Sequence, residues 1–116
     1  MSEPLTGRHE FKVLYAFNDD YLDFAGDRVV TEAAAYAKKI GASSAKVSGY
    51  RATTVLSNGQ SLIEKSGLAE RRAQNIATIL RGLGVSGVTV EWKSEAEPGD
   101  GQADASRRRV TILIAP

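Results

Sequence analysis

Ala69, Ala73, Ile76, Leu80 and Leu83 recur at 4-3-4-3 spacing. A 3.6-residue helix places such a set on one face, and a striped helix has to cover that face with another layer. A second stripe, Leu22, Val29, Val30, Ala33, Ala37 and Ile40, lies upstream. Asp23 suits its N-cap and Gly41 its C′ position, so a first helix is predicted up to about Ile40. Asp27 near its start and Lys38 and Lys39 near its end suit the helix dipole. For the later helix, Ser61-x-x-Glu64 has the capping-box pattern and predicts a start at Ser61. Gly84 is expected to end it, and Gly67 inside it to be a kink or a close-packing point.

Strand-like runs separate the stripes. Glu10–Phe17 alternates Phe11, Val13, Tyr15 and Phe17 with a mixed second face, as expected of a strand buried on both sides. Ser44–Arg51 follows with Ala45, Val47 and Gly49 on one face, then Val88–Trp92, then Arg107–Ala115 with a basic start and an apolar end. Ala52–Gln60 reads as a polar loop with a turn at Asn58-Gly59, and Lys93–Ser106 as a surface excursion. The order is β-α-β-α-β-loop-β. Single-helix crossovers imply parallel neighbours, and the last strand can return antiparallel after the long loop. The fold class is α/β (α+β): a two-layer sandwich with a mixed four-stranded sheet and two main helices on one face. At 116 residues the chain has the length of one domain, read as 9–116 behind a flexible tail at 1–8.

Composition narrows the chemistry. There is no cysteine and one histidine, His9, which excludes disulfides and thiolate chemistry and leaves little for a histidine metal site or a Ser-His-Asp triad. No apolar run approaches the ~18 residues of a membrane span, and no signal-peptide pattern opens the sequence. Neither GxGxxG nor a Walker pattern occurs. Asp19 and Asp20 sit at a helix entrance, where capping and solvation account for them. No cofactor, metal or catalytic residue is expected.

The net charge of +1 is unevenly spread: −4 over residues 1–32, +6 over 33–90 and −1 over 91–116. A positive middle could attract an anion, the alternative being a solvated helix face with cross-domain ion pairs. Arg51, Arg71, Arg72, Arg107, Arg108 and Arg109 fall at strand ends and on the second helix, where such a fold has a shared rim. An arginine fork there can take a carboxylate or phosphate. Nucleic acid is disfavoured by a pI near 8.0 and by the absence of RRM-type or GXXG signals.

Several strings resemble one family. Phe17-Asn18-Asp19-Asp20-Tyr21-Leu22 is similar to the F-[DN]-S-x-x-L opening of OmpA-like domains, and Ala25–Val30 to their first helix. Leu68-Ala69-Glu70-Arg71-Arg72-Ala73 is close to their L-S-x-x-R-A, the most specific of these strings, and Arg107-Arg108-Arg109-Val110 to their N-R-R-V. The match runs from about residue 9 to 115. The resemblance implies a non-catalytic, periplasmic or outer-membrane-associated domain that binds peptidoglycan through the diaminopimelate of the stem peptide. In that family an aspartate ending G-H-T-D engages the ligand amine, and the arginine of L-S-x-x-R-A its carboxylate.

By this resemblance the arginine is Arg72. The aspartate position holds Ala52, within Gly49-Tyr50-Arg51-Ala52, while Lys65, Ala69 and Arg107 replace an asparagine, a serine and an asparagine. Losing one partner of a charge-assisted bond costs about 1.5–3 kcal/mol, so zwitterion recognition should weaken and a purely anionic group be favoured. The ligand-binding set expected is Arg72, Arg51, Tyr50, Thr54, Asn18 and Arg109. The partner is then the peptidoglycan stem peptide or another anionic ligand. The alternative is a protein-interaction or structural module, self-association included, that kept the fold and lost the ligand. Neither nucleic acid nor membrane insertion by this chain is expected.

Overall fold

A computed structural model describes residues 7–116; of the expected tail, residues 1–6 lie outside the described residues. Strand β1 (His9–Leu14) leads through a turn to helix α1 (Phe24–Ile40), and β2 (Ser44–Gly49) follows. A short hairpin comes next, β3 (Thr53–Val55) and β4 (Ser61–Ile63), ahead of helix α2 (Leu68–Gly82). Strand β5 (Val88–Trp92), a 3-10 turn at Asp104–Arg107 and strand β6 (Arg109–Ala115) complete the fold.

The α1 boundaries follow from local chemistry. The Asp23 carboxylate accepts the Gly26 N–H at 2.7 Å, and Gly41, left-handed at φ 63°, turns the chain out of the helix. The four-stranded sheet has the order β1-β6-β2-β5. Here β6 runs antiparallel to both neighbours, with Val13 opposite Val110 and Val47 opposite Ile112, and β2 is parallel to β5. The crossover rule therefore holds for β2 and β5, whereas β1 and β2 are kept apart by the returning β6.

Both helices cover the face carrying Val13, Ala45, Val47, Val110, Ile112 and Ile114. Onto it they pack Val30, Ala33 and Ala37 from α1 and Ala73, Ile76 and Leu80 from α2. The α2 entrance approaches β2 so closely that a Cβ on Gly49 would lie 2.1 Å from the Ala69 carbonyl oxygen. His9 belongs to an edge cluster of rings, 4.4 Å from Phe11 and 5.5 Å from Tyr36 between centroids.

Five expectations are corrected. The second helix starts at Leu68, not Ser61: Ser61 lies in β4, and Glu64 leaves the local cap for a long-range partner. Gly67 is the left-handed N-cap of α2 rather than an interior kink. The polar stretch 52–60 is not all loop, because Asn58-Gly59 closes the β3–β4 hairpin. Strand β1 ends at Leu14, three residues early, although the Tyr15 N–H still reaches the Arg108 carbonyl at 2.9 Å. The basic start of the last strand is in part the 3-10 turn.

Candidate functional site

Arg72 lies on the buried face of α2, between Leu68 and Ile76 at i±4, and its side chain is fully buried. A guanidinium has five N–H donors, and here each has an acceptor. Nε donates to the Asp19 carbonyl at 2.9 Å. One terminal nitrogen donates to the Tyr50 carbonyl at 3.0 Å and to Glu64 Oε1 at 2.8 Å. The other donates to the Ala16 carbonyl at 3.3 Å and to Glu64 Oε2 at 2.6 Å. The guanidinium carbon also sits 4.7 Å from the Tyr15 ring centroid, a cation–π distance.

Glu64 is matched as completely. Its carboxylate accepts the two Arg72 bonds, the Asn18 N–H at 2.7 Å and the Ala52 N–H at 3.0 Å, filling the roughly four lone-pair positions of an ionised carboxylate. A buried charge is tolerated when it is paired and bonded in this way. Asn18 makes its contribution from a left-handed backbone at φ 60°, uncommon for a non-glycine but accessible to asparagine. Its side-chain oxygen accepts the Lys65 N–H at 2.8 Å, so Asn18 holds both ends of the Glu64–Lys65 segment.

The other candidates surround this pair. Arg51 donates to the Ser94 carbonyl at 3.0 and 2.8 Å and to the Glu64 carbonyl at 2.6 Å. Arg109 stacks on Tyr50 at 3.9 Å from the ring centroid and binds Glu97 at 2.9 Å; the Glu97 bond holds its pKa above the usual value. Thr54 Oγ1 accepts from Arg108 at 3.0 Å, and Arg108 also donates to the Tyr15 carbonyl. Burial pushes the Tyr15 hydroxyl well above the ordinary phenol range. Its oxygen finds no partner among the described residues.

The acidic excursion supplies the counter-charges. Arg107 bridges Asp100 at 3.1 Å and Asp104 at 2.7 Å. Asp104 is buried and accepts the N–H groups of Val55, Asp100 and Gly101. These bonds, that from Val55 foremost, lower its pKa, while Arg107 does the same for Asp100. Arg71 pairs with Asp20 at 3.4 Å at the surface. The basic rim of the sequence is thus largely neutralised within the fold.

Asn18, Tyr50, Arg51 and Arg72 meet around one residue, Glu64, which sequence reasoning assigned to a helix cap. Its signal was an arginine at i±4 from Leu68 and Ile76, on an apolar stripe where a charge requires a partner. What the cluster can do chemically is hold one carboxylate in a dry, fully bonded setting. Among the described residues no group of three or more His, Asp or Glu side chains could hold a metal ion, and no helix is long and apolar enough to cross a membrane.

No family model and no curated protein matches the sequence. Solved structures do. The OmpA-like domain of FopA1 from Francisella tularensis superposes with a TM-score of 0.69 at 22% identity, over 94% of this chain and 73% of that one. The cell wall anchor of the T6SS from Pseudomonas aeruginosa gives 0.68 at 21%, over 93% and 81%. The peptidoglycan-associated lipoprotein from Burkholderia pseudomallei gives 0.67 at 17%, over 91% and 90%.

Proposed function

We propose that this chain, whose fold is OmpA-like, is a non-catalytic module of the bacterial cell envelope, periplasmic or outer-membrane associated, formed by residues 9–116. In it, association with peptidoglycan through Arg72 is attenuated. One observation carries the attenuation: every N–H of the Arg72 guanidinium already has an acceptor inside the protein. A stem-peptide carboxylate reaches Arg72 only by displacing Glu64, and Ala52 offers the ligand ammonium no charge. Support for the envelope setting comes from the shared fold, since two of the matched structures are described as a cell wall anchor and a peptidoglycan-associated lipoprotein.

The test is sedimentation of the purified protein with intact sacculi. Weak, saturable retention is expected. Quantitative retention at low sacculus concentration overturns the attenuation. No retention at all overturns peptidoglycan association and favours the second reading, an interaction module. That reading is supported by large apolar side chains left exposed around the α1 entrance and on the β3–β4 hairpin, Phe24, Tyr21 and Ile63 among them. Size-exclusion across a concentration series reports self-association.

A further inference from the structure

We infer that Glu64 is a built-in ligand: the Arg72 fork and the N–H groups of Asn18 and Ala52 form a receptor for a small carboxylate, which the chain fills with its own side chain. The receptor has three independent parts. Arg72 comes from α2, Asn18 from the turn after β1 and Ala52 from the segment after β2, and all point their donors at one carboxylate. Arg72 is fixed from behind by the carbonyls of Ala16, Asp19 and Tyr50, so its orientation does not depend on Glu64 alone.

The geometry selects the ligand class. Two guanidinium N–H groups face two oxygens side by side, at 2.8 and 2.6 Å. This fork matches a planar carboxylate. Chloride has no second acceptor atom to offer. The occupant arrives on a short connector between an exposed hairpin strand and the glycine N-cap of α2. Its backbone is held separately, by Arg51 on the carbonyl and the Ala52 carbonyl on the N–H, so of its side chain only the carboxylate meets the donors of the receptor. Replacing Glu64 by alanine removes a methylene and a carboxylate, which together correspond to an acetate ion. The emptied site is therefore shaped and charged for acetate or formate, and the wild-type protein is closed to both. This holds whether or not the domain meets peptidoglycan.

The experiment is chemical rescue. Thermal unfolding of Glu64→Ala is followed in sodium acetate, sodium formate and sodium chloride at equal ionic strength and neutral pH, with wild type alongside. A ligand that binds only the folded state raises Tm with its concentration. The expected result is a rise of several degrees in acetate over chloride for Glu64→Ala, smaller or absent for bulky isobutyrate, and no acetate-specific rise for wild type. Equal Tm values in acetate and chloride overturn the inference, as does an acetate effect of equal size in wild type. If Glu64→Ala does not fold in chloride, refolding is monitored by circular dichroism. Folding in acetate alone supports the receptor, and failure in both salts overturns it. Sacculus sedimentation and this rescue fail separately, because no peptidoglycan is present here.

Discussion

Glu64 and Arg72 face each other fork to fork across eight residues of sequence, with both side chains fully buried. Breaking such a pair from one side leaves an uncompensated buried charge, at about 3–5 kcal/mol. Glu64→Leu and Arg72→Leu should each destabilise by that order in urea unfolding. The double variant should lose clearly less than the sum of the two. It should not reach wild-type stability, because the Asn18 and Ala52 N–H groups and the Asp19 and Tyr50 carbonyls would lose the side-chain partners they have now. Strict additivity in the double-mutant cycle would contradict the pairing.

Ala52 is fully buried, with its N–H on Glu64. Ala52→Asp therefore brings a second carboxylate to a buried position beside the first. The expected outcome is a less stable protein with no gain in binding to sacculi or to diaminopimelate. A gain is expected only when Glu64 is also replaced by a neutral residue, which frees Arg72. Calorimetric titration of the single and double variants tests the order of these effects.

Gly49→Ala places a methyl 2.1 Å from a backbone oxygen of α2 and 2.9 Å from the Ala73 Cβ. Neither obstacle is a flexible side-chain end, so α2 has to shift. Overpacking of this kind costs about 1–3 kcal/mol or more. A lowered urea midpoint, with amide chemical-shift changes concentrated at the α2 entrance, is the expected signature.

Gly67 caps α2 at φ 83° with no side-chain hydrogen bond. A Cβ there meets only the distal end of Arg71, at 3.4 Å, so the penalty is conformational. Gly67→Ala should cost about 1–2 kcal/mol. Gly67→Asn should cost less, since asparagine tolerates the left-handed region. Equal losses for the two variants in thermal unfolding would point to sterics instead.

Asp100 and Asp104 have folded-state pKa values below the ordinary carboxylate range, through Arg107 and through backbone donors respectively. A depressed folded value means stability that is present above the unfolded value, near 4, and lost as pH falls through the folded one. Unfolding midpoints should thus decline below about pH 4. In Asp104→Asn the midpoint at neutral pH should be lower and the acid decline shallower. An unchanged acid profile in that variant would remove Asp104 from the account.

Helix α1 was legible because its signals are local: Asp23, Gly41 and the apolar spacing act within a few residues. The pairing of β2 with β5 followed from the crossover rule. The start of α2 was not legible, because Ser61 and Glu64 satisfy a local capping pattern that a buried arginine outcompetes from eight residues away. Strands β3 and β4 are three residues each, too short to show alternation. Asn18, Tyr50, Arg51 and Arg72 could be named from sequence as a group, but not the carboxylate that joins them, since its segment read as helix. Likewise, charge runs alone could not show that Asp100 and Asp104 neutralise Arg107, and Glu97 neutralises Arg109, because those pairings depend on how the loop folds back.

Strand β6 is the last to be synthesised and lies inside the sheet, between β1 and β2. Until it emerges, β1 has no partner in that sheet, and β2 can pair only with β5. Until β6 is in place the domain therefore has unpaired strand edges and an incompletely covered apolar helix face, a state prone to aggregation. Its assembly depends on contacts distant in sequence, which slow folding. Closure of the sheet thus waits on the seven-residue β6, the strand of this domain furthest along the sequence.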